Sequence, residues 1–403
     1  MHIYKAAVVG AGTMGAEIAQ VISASGLPVL LKDIDQPMLA KGMATIRRIY
    51  QRQVDKGRMS PAGVEARLSL IRPSLTYEGF GDVDIALEAV PESMAIKKAI
   101  WKELEAVVPE TAIFASNTSS LSISEMAAAS GRPGKFVGMH FFNPAHVMKL
   151  VEVIPGLDTD QGTVEDIVAF AGSLGKTPVV VQECAGFLVN RLLIPYLNEA
   201  VYCLQEGSAG AAEIDAAVVE FGMPMGPFTL MDLMGLDVCQ HICDYLYAEY
   251  GPRMEPPKLL GALVQAGRLG KKAGKGFYGY GDQGDEAVRA LIAGFGRDSS
   301  SRFSVERVMY PLINEAALCL QEHIASINDV DLAMMAGTNM TYRGERKGPL
   351  AIADEIGLGV VLETLEQLFA RYGERFRPAR LLRTKARAGH LGVSSRRGFH
   401  EYA

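Results

Sequence analysis

Short apolar segments alternate with helical periods in the first part of the chain, and helical periods alone fill the second. Four segments have the length and composition of buried strands: KAAVVG (5–10), LPVLLKDID (27–35), DIALEAVP (84–91) and AIFASN (112–117). Between them, apolar residues recur at helical spacing, as in residues 36–69 and 96–108. This alternation predicts an α/β domain with a doubly wound, mostly parallel sheet over residues 1–183. From Gly186 onward the strand pattern stops, which predicts an all-α remainder.

The helical part contains a tandem duplication. LLIPYLNEAVYCLQEG (192–207) and VMYPLINEAALCLQEH (308–323) align at a constant offset of 116 residues. After a six-residue lengthening of the second copy the offset becomes 122, and it still relates Gly276 to Gly398. Register kept over this distance indicates two structurally similar helical units.

We therefore expect two helical domains, residues 184–280 and 303–403, joined by a polar, glycine-rich linker at residues 281–302. A reactive residue that is present in the first copy but not in the second is a candidate for function, whereas residues shared by both copies are expected to be structural. The second copy keeps an arginine at the place of Arg191 but has Glu306 at the place of Asn190. Asn190 is thus a candidate functional residue, and the rest of the repeat is mainly architectural.

A glycine-rich turn follows the first strand and opens the first helix. It consists of Gly10, Ala11, Gly12, Thr13, Met14 and Gly15, and it fits G-x-G-x-x-G, in which the glycines permit a tight turn, close approach of a pyrophosphate and seating of the helix. Asp33 ends the second strand, where a carboxylate accepts hydrogen bonds from the adenine ribose and repels a 2′-phosphate. The context predicts a Rossmann-like domain that binds NAD rather than NADP. The alternative is a glycine turn in a non-binding sheet, with Asp33 an ordinary loop acid.

Hydroxyl side chains follow another predicted strand in the segment SNTSS (116–120). Ser122 and Glu125 already supply a capping box for the next helix, so the earlier hydroxyls are not needed for capping. Side chains at the carboxyl edge of such a sheet face the ligand crevice. Asn117 is therefore a candidate cofactor contact and Ser119 a candidate active-site residue, with simple turn and capping hydroxyls as the alternative.

One histidine and one glutamate lie in two further apolar segments. His140 belongs to GMHFFNP, and Glu152 follows 12 residues later in KLVEVI. Either alone is usually a satisfied polar group in a core. In successive strands joined by a turn at residues 143–144 they can instead lie side by side, so that the carboxylate holds one imidazole tautomer and stabilises its cation. That arrangement predicts a general base.

Basic residues recur every four positions within the helical pattern of residues 36–69: Arg48, Arg52 and Lys56. On a helix they form one cationic face, which is usually only solvated. In an acidic chain the same face can hold the phosphates of a nucleotide-tailed substrate. A second basic segment, GKKAGKGFY (270–278), contains Lys272, which the second copy replaces with Ser394.

Composition narrows the possible classes of protein. With 403 residues, 49% of them apolar and 21% charged, the chain has the make-up of a globular protein of two or three domains. No apolar run reaches the roughly 20 residues that span a bilayer, and no signal-peptide pattern precedes the first strand. We therefore expect a cytoplasmic protein without a membrane partner.

Charge and cysteine content narrow the classes further. The net charge of −6 argues against a nucleic-acid partner. Five cysteines, an odd number in apolar helical segments, are typical of free core thiols in a reducing compartment. Cys239 and Cys243 can share a helix face but lack the further ligands of a zinc site, so no metal is predicted.

Six motifs occur in the order GAGTMG, SNTSS, GMHFFNP, LVEVI, GFLVNR and GKGFY. In this order the chain resembles the 3-hydroxyacyl-CoA dehydrogenases of fatty-acid β-oxidation over essentially its whole length. The resemblance implies reversible, NAD-dependent oxidation of (S)-3-hydroxyacyl-CoA to 3-ketoacyl-CoA, with an acyl-CoA as the small-molecule partner.

The resemblance also implies roles for individual residues. His140 and Glu152 match the family's catalytic base pair, while Ser119 and Asn190 match its active-site serine and asparagine. The implied NAD contacts are the glycine loop, Asp33, Glu92, Lys97, Asn143 and Lys272. Lys56 matches a lysine that binds coenzyme A. Ile49 stands where the family can place a serine that binds coenzyme A, so that contact with the coenzyme A tail is not carried over to this chain.

Relatives with one helical unit pair that unit across a dimer, whereas multifunctional β-oxidation proteins carry it twice in one chain. This chain resembles the second layout without the upstream hydratase domain, because its glycine loop begins at residue 10. We expect copy two to cover the face of copy one that would otherwise dimerise, which permits a monomer. A homodimer is the alternative.

Two other functions stay open from the residues. One is an NAD-dependent dehydrogenase of the same build that acts on a free hydroxy acid or sugar acid, which would not need the basic face. The other is a non-catalytic NAD-binding relative, against which the presence of all four active-site matches argues. Acyl chain length and physiological direction do not follow from the motifs.

Overall fold

A computed structural model describes residues 2–280, 286–296, 298 and 300–403. The chain divides into two units, Met1–Glu183 and Cys184–Ala403. The boundary falls at the residue where the sequence predicts the end of the sheet domain.

The first unit contains a sheet with eight described strands. In chain order they are β1 (Ala6–Val9), β2 (Val29–Lys32), β3 (Ile71–Ser74), β4 (Ile85–Glu88), β5 (Ile113–Ser116), β6 (Phe136–Phe141), β7 (Leu150–Pro155) and β8 (Thr177–Val180). The spatial order is β3-β2-β1-β4-β5-β6-β7-β8, and the strands pair in parallel except β6 with β7. The chain thus winds outward from β1 in both directions, which confirms the predicted fold class.

Helices connect these strands. They are α1 (Thr13–Ala24), α2 (Gln36–Asp55), α3 (Pro61–Leu68), α4 (Met94–Glu105), α5 (Ile123–Ala129) and α6 (Gln161–Ser173). The helical pattern of residues 36–69 is two helices, because Ser60 and Pro61 start a new one: the Ser60 side chain accepts from the Gly63 amide and proline fits the first turn.

Burial explains why the central strands are apolar throughout. Every residue of β1, β2, β4 and β5 is buried, as expected for parallel strands covered by helices on both faces. On α4, Trp101 is fully buried and its ring centroid lies 4.9 Å from that of Phe114 and 4.8 Å from that of Phe136. The helix and two strands therefore share one aromatic core.

The second unit is mainly helical. Its helices are α7 (Val189–Gln205), α8 (Ala211–Phe221), α9 (Pro227–Met234), α10 (Leu236–Tyr250), α11 (Lys258–Gln265), α12 (Glu286–Phe295), α13 (Val305–Gln321), α14 (Ile327–Thr338), α15 (Pro349–Ile356), α16 (Leu358–Tyr372) and α17 (Arg380–Arg387). None of the helices in the described ranges combines the length and apolarity needed to cross a membrane.

The two sequence copies pack against each other through α7 and α13, and reciprocal ion pairs join them. Arg191 of copy one lies 2.8 Å from Glu315, and Arg307 of copy two lies 3.2 Å from Glu199. Each arginine is equivalent to the other at the 116-residue offset, as is each glutamate. Each copy thus supplies the arginine of one ion pair and the glutamate of the other, as in an approximately twofold-symmetric arrangement.

The same exchange extends around each arginine. Arg191 also lies 2.7 Å from Glu322 and stacks on Tyr250, while Arg307 pairs with Glu206 and stacks on Tyr372 at the equivalent places. Both guanidinium groups are almost completely buried. Because a buried charge must keep its partner, neither copy can expose this face without a large loss of stability.

Both copies lie within the second unit, Cys184–Ala403. The segment predicted as linker contains α12, and its residues 281–285, 297 and 299 lie outside the described residues. The lengthening of copy two forms a short strand pair, β9 (Thr341–Tyr342) and β10 (Glu345–Arg346), although the strand pattern stops before it in the sequence. Its position is fixed by the Thr341 amide, which donates to the Gly222 carbonyl at 2.9 Å.

Candidate active site

The glycine loop follows β1 at the point where the sheet order reverses, between β1 and β4. Gly10 has φ +103°, and a Cβ there would lie 2.6 Å from the Ala89 carbonyl oxygen after β4. A Cβ on Gly15 would lie 1.8 Å from the Gly10 carbonyl oxygen. Any side chain at either position would therefore force the turn apart. Ligands of open α/β sheets bind outside this reversal point.

The start of α1 fits the pyrophosphate of NAD. Gly12 precedes the helix without a side chain to cap it, and a Cβ built there would meet open space. Thr13 is exposed and Met14 half-buried at the same end. Backbone amides at a helix start with room in front of them bind anions well. The loop thus holds the residues that the sequence assigns to the cofactor.

Asp33 lies beside this loop, after β2. Its carboxylate accepts hydrogen bonds from the amides of Ala11 and Ile34. These bonds hold the carboxylate beside the glycine loop, and in dinucleotide-binding folds an acid after the second strand accepts from the adenine ribose. The geometry agrees with selection of NAD over NADP by charge.

A buried ion pair lies under the ends of β4 and β5. Lys97 on α4 and Glu88 at the end of β4 are both fully buried, with Nζ 2.6 Å from Oε1. Nζ also lies 3.4 Å from Glu92, and the second Glu88 oxygen accepts from the Ser116 hydroxyl at 2.7 Å. Lys97 therefore pairs with Glu88 beneath the strand ends, and its contact with NAD stays a prediction of the resemblance.

The two carboxylates beside Lys97 differ in electrostatics. Burial raises the pKa of Glu88, against the opposing effects of Lys97 and Ser116. At Glu92 burial also acts upward, but the charge of Lys97 and the hydrogen bonds from Thr118 and Ser119 outweigh it and lower the pKa. Glu92 is thus held ionised, as an acceptor for the SNTSS segment.

Glu92 positions that segment directly. One of its oxygens accepts from the Thr118 hydroxyl at 2.6 Å and from the Ser119 amide at 3.0 Å, and the Ser119 hydroxyl lies 3.4 Å away. Ser119 therefore belongs to a loop that is held by hydrogen bonds to the Glu92 carboxylate. Its side chain is partly exposed.

His140 and Glu152 are opposite each other in the antiparallel pair of β6 and β7. His140 Nδ1 lies 2.7 Å from Glu152 Oε2, the histidine side chain is 10% exposed, and that of the glutamate is fully buried. A hydrogen bond from Nδ1–H to the carboxylate leaves Nε2 as the basic nitrogen. The spacing argument from the sequence thus places the two side chains correctly.

Asn117 joins the serine segment to the histidine strand. Its side-chain oxygen Oδ1 accepts from the backbone amide of Phe141 at 3.0 Å, next to His140. The backbone amide of Asn117 donates to the Glu88 carbonyl at 2.8 Å. The carboxyl ends of β4, β5 and β6 are therefore linked, and Ser119 and His140 lie at the same edge of the sheet. The Asn117 side chain acts as a link between strands, in addition to the cofactor contact that the sequence predicts.

The remaining predicted residues have the following positions. Asn143 is exposed, three residues beyond His140. Asn190 is in the first turn of α7 and Lys272 follows α11, both in the second unit. Lys272 Nζ contacts both oxygens of Asp237, at 2.6 and 2.7 Å.

The predicted basic face exists on α2. Arg48 and Arg52 are exposed one turn apart, and Lys56 is the exposed residue that ends the helix. Ile49 is buried beneath them. None of the three cations forms an ion pair with any residue that the structure describes.

The sequence missed Glu88, although one signal was available: an acid that ends the otherwise apolar strand DIALE. An acid there, with a lysine nine residues later on the following helix, is the pattern of a buried pair. As for metals, no group of three or more metal-binding side chains occurs within the described part of the chain.

Two family models match the chain. The model of the 3-hydroxyacyl-CoA dehydrogenase NAD binding domain matches residues 5–184. The model of the 3-hydroxyacyl-CoA dehydrogenase C-terminal domain matches twice, at residues 186–280 and 303–402. The second result recovers the duplication, and residues 281–302 lie outside both matches.

Several known proteins are similar. The fatty acid oxidation complex subunit alpha of Psychrobacter arcticus is 39% identical over 404 residues, which cover 96% of this chain and 56% of that protein. The chain thus spans little more than half the length of the curated relatives it matches. The crystal structure of 3-hydroxybutyryl-CoA dehydrogenase from Escherichia coli K12 aligns with a TM-score of 0.86 and 31% identity, covering 96% of this chain and 99% of that one.

A further crystal structure, (S)-3-hydroxybutyryl-CoA dehydrogenase from Ralstonia eutropha, is 40% identical with a TM-score of 0.68, covering 70% of this chain and all of that one. The chain therefore belongs to the 3-hydroxyacyl-CoA dehydrogenase family.

Proposed function

We propose that this protein oxidises (S)-3-hydroxyacyl-CoA to 3-ketoacyl-CoA reversibly, as in fatty-acid β-oxidation or short-chain acyl-CoA metabolism. The observation that supports this best is the His140–Glu152 pair, 2.7 Å apart at the same sheet edge as the Ser119 loop. A secondary alcohol releases hydride readily only as its proton leaves, so a dehydrogenase needs a base of this kind.

His140 accepts the proton of the C3 hydroxyl at Nε2. Glu152 holds Nδ1–H and stabilises the imidazolium that forms, without leaving its buried position. NAD, when bound, supplies the hydride acceptor, and its binding is the work of the glycine loop and Asp33. In the opposite direction His140 donates the proton, so lower pH favours reduction of the ketone.

In this proposal Ser119 orients the reacting oxygen, and Asn190 is a further catalytic residue. For Ser119 the support is its attachment to Glu92, which fixes the backbone of the loop. For Asn190 the support is its loss in copy two, where Glu306 replaces it in an otherwise repeated helix. Alignment of this kind contributes to catalysis by removing the entropy of orientation.

Replacing the proposed base tests the mechanism. His140→Gln should lower kcat by about 100-fold or more, because proton transfer from the hydroxyl is lost. The dissociation constant for NADH, measured by its fluorescence, should stay close to that of the parent protein. His241→Gln is the matched control, since His241 is an exposed histidine on α10. Turnover retained in His140→Gln would exclude His140 as the base.

Coenzyme A recognition is the second part of the proposal, and the basic face of α2 supports it. Arg48, Arg52 and Lys56 present three exposed cations along one helix face of a chain with net charge −6. Guanidinium and ammonium groups bind phosphates by charge-assisted hydrogen bonds. A dehydrogenase of free hydroxy acids has no use for this surface, so the surface favours the thioester over that rival.

Reversing the charge of this face separates the two substrates. A variant with Arg48→Glu, Arg52→Glu and Lys56→Glu should raise KM for the CoA thioester by about tenfold or more, because a lost charge-assisted hydrogen bond costs about 1.5–3 kcal/mol. KM for NAD should not change. A variant with Lys102→Glu, Lys258→Glu and Arg387→Glu, at exposed positions on α4, α11 and α17, makes the same change of net charge outside this face and is the control. An unchanged thioester KM in the triple variant would favour the free-acid dehydrogenase.

A monomeric state is the third part of the proposal. Its support is the reciprocal Arg191–Glu315 and Arg307–Glu199 network, through which copy two covers α7 of copy one. A face closed by buried ion pairs within one chain is not available to a second chain.

Sedimentation velocity tests this state. The protein should sediment as a monomer over a roughly hundredfold range of concentration, because the face that would pair with a second chain is already covered by copy two. A dimer that persists undiminished at the lowest concentration would contradict the proposal.

We place the protein in the cytoplasm. The support is its five free cysteines, four of them buried, since reducing compartments keep such thiols unpaired.

A further inference from the structure

A short segment between β6 and β7 carries Asn143, an exposed residue for which the resemblance to the dehydrogenase family implies a contact with NAD. The backbone of this segment is held mainly at Ala145, which is 1% exposed. The Ala145 amide and carbonyl each have a charged side chain as partner, one negative and one positive. Neither partner is part of the reaction described above.

The negative partner is Glu17, in the second turn of α1 and two residues after the glycine loop. It is 6% exposed, and one of its oxygens accepts a short hydrogen bond from the Ala145 amide, 128 residues away in the chain. His146 Nδ1 lies 3.3 Å from the same oxygen. Glu17 thus connects the helix whose start faces the pyrophosphate with the segment that carries Asn143.

The positive partner is Lys176, which immediately precedes β8. Its ammonium donates to the Ala145 carbonyl and, at 2.8 Å, to the Met148 carbonyl. One side chain therefore holds the segment at two positions, Ala145 and Met148. Burial and the nearby charge of Lys149 lower the pKa of Lys176 to about 8, while Glu17 acts in the opposite direction.

We propose that Glu17 and Lys176 are positioning residues for NAD: by holding Ala145 from its two sides, they fix Asn143 relative to the glycine loop. This inference rests on the proposed contact between Asn143 and NAD. It names two side chains outside the catalytic pair as determinants of cofactor affinity.

The charges of Glu17 and Lys176 predict that the affinity for NAD depends on pH. The charged groups that act on Lys176 are Glu17 from α1 and Lys149 from the segment itself, and His146 lies 3.3 Å from Glu17. With Lys176 protonated, its charge offsets the Glu17 carboxylate, which lies next to the pyrophosphate site. Once Lys176 loses its proton, that carboxylate is uncompensated and repels the cofactor phosphates. NAD affinity should therefore fall as pH rises through the pKa of Lys176.

The test is the dissociation constant for NADH, measured by its fluorescence without substrate between pH 6.5 and 9.5, on the full chain. Lys176→Met should weaken NADH binding about tenfold at neutral pH and remove the inflection near pH 8. Lys149→Met should move the inflection to higher pH, because Lys149 lowers the pKa of Lys176. Lys149 is exposed, so this variant keeps the test valid if Lys176→Met fails to fold.

Two substitutions at Glu17 separate positioning from general structure. Glu17→Gln retains an acceptor for the Ala145 amide and should bind NADH within about twofold of the parent at neutral pH. Its affinity should fall less as pH rises, because no carboxylate is left uncompensated when Lys176 loses its proton. Glu17→Ala removes the acceptor and should weaken NADH binding about tenfold. In both, KM for the acyl-CoA should stay the same, which a general loss of structure would not permit.

An unmoved inflection in Lys149→Met, or parental affinity in Glu17→Ala and Lys176→Met, would overturn the proposal. Equal weakening of NADH and acyl-CoA binding would also overturn it. Because NADH binding is measured without substrate, failure of the parent protein to turn over hydroxyacyl-CoA would count against the proposed function only.

Discussion

A charge that leaves water needs a partner, and this constraint shapes both units of the protein. An unpaired ionised group in an apolar interior is destabilising by several kcal/mol. In the first unit the constraint joins Glu88 to Lys97 beneath the strand ends and Glu152 to His140 at the sheet edge. In the second it joins each buried arginine to glutamates of the other copy. Catalytic geometry and domain architecture thus depend on the same physical effect.

At the carboxyl edge of the sheet, hydrogen bonds and ion pairs between side chains hold the residues of the candidate active site in place. Strands β4, β5 and β6 end side by side, and Glu88, Asn117 and Glu92 link their ends by hydrogen bonds. The imidazole of His140 is oriented by a carboxylate that has no room to move. Such an arrangement holds a base in one tautomer before substrate arrives, so little reorganisation is left for the reaction itself.

The sequence predicts the parts of this account that depend on local spacing. The glycine loop, the acid after β2 and the pairing of His140 with Glu152 all follow from short motifs and strand periodicity. The Glu17–Ala145 bond joins residues 128 positions apart, and no periodicity reports such a contact. The burial of Lys97 was missed because a lysine at a helical position is typical of solvent exposure.

The duplication shows a different limit. Equivalent arginines and glutamates in the two copies indicate a repeated scaffold, but the sequence does not say that each arginine pairs with the glutamate of the other copy. Only the packing of α7 on α13 shows this pairing between the copies. The role of the basic face of α2 in binding coenzyme A and the reaction itself are proposals, since the curated relatives extend well beyond this chain.

The most direct measurement is NADH formation with (S)-3-hydroxyacyl-CoA substrates from about four carbons upward, each beside its free acid, and with NADP in place of NAD as a control. The account predicts turnover of the CoA thioesters with NAD and little with NADP, with a chain-length profile that defines the acyl pocket. Comparable turnover of the free acids, or no turnover of any thioester, would contradict it.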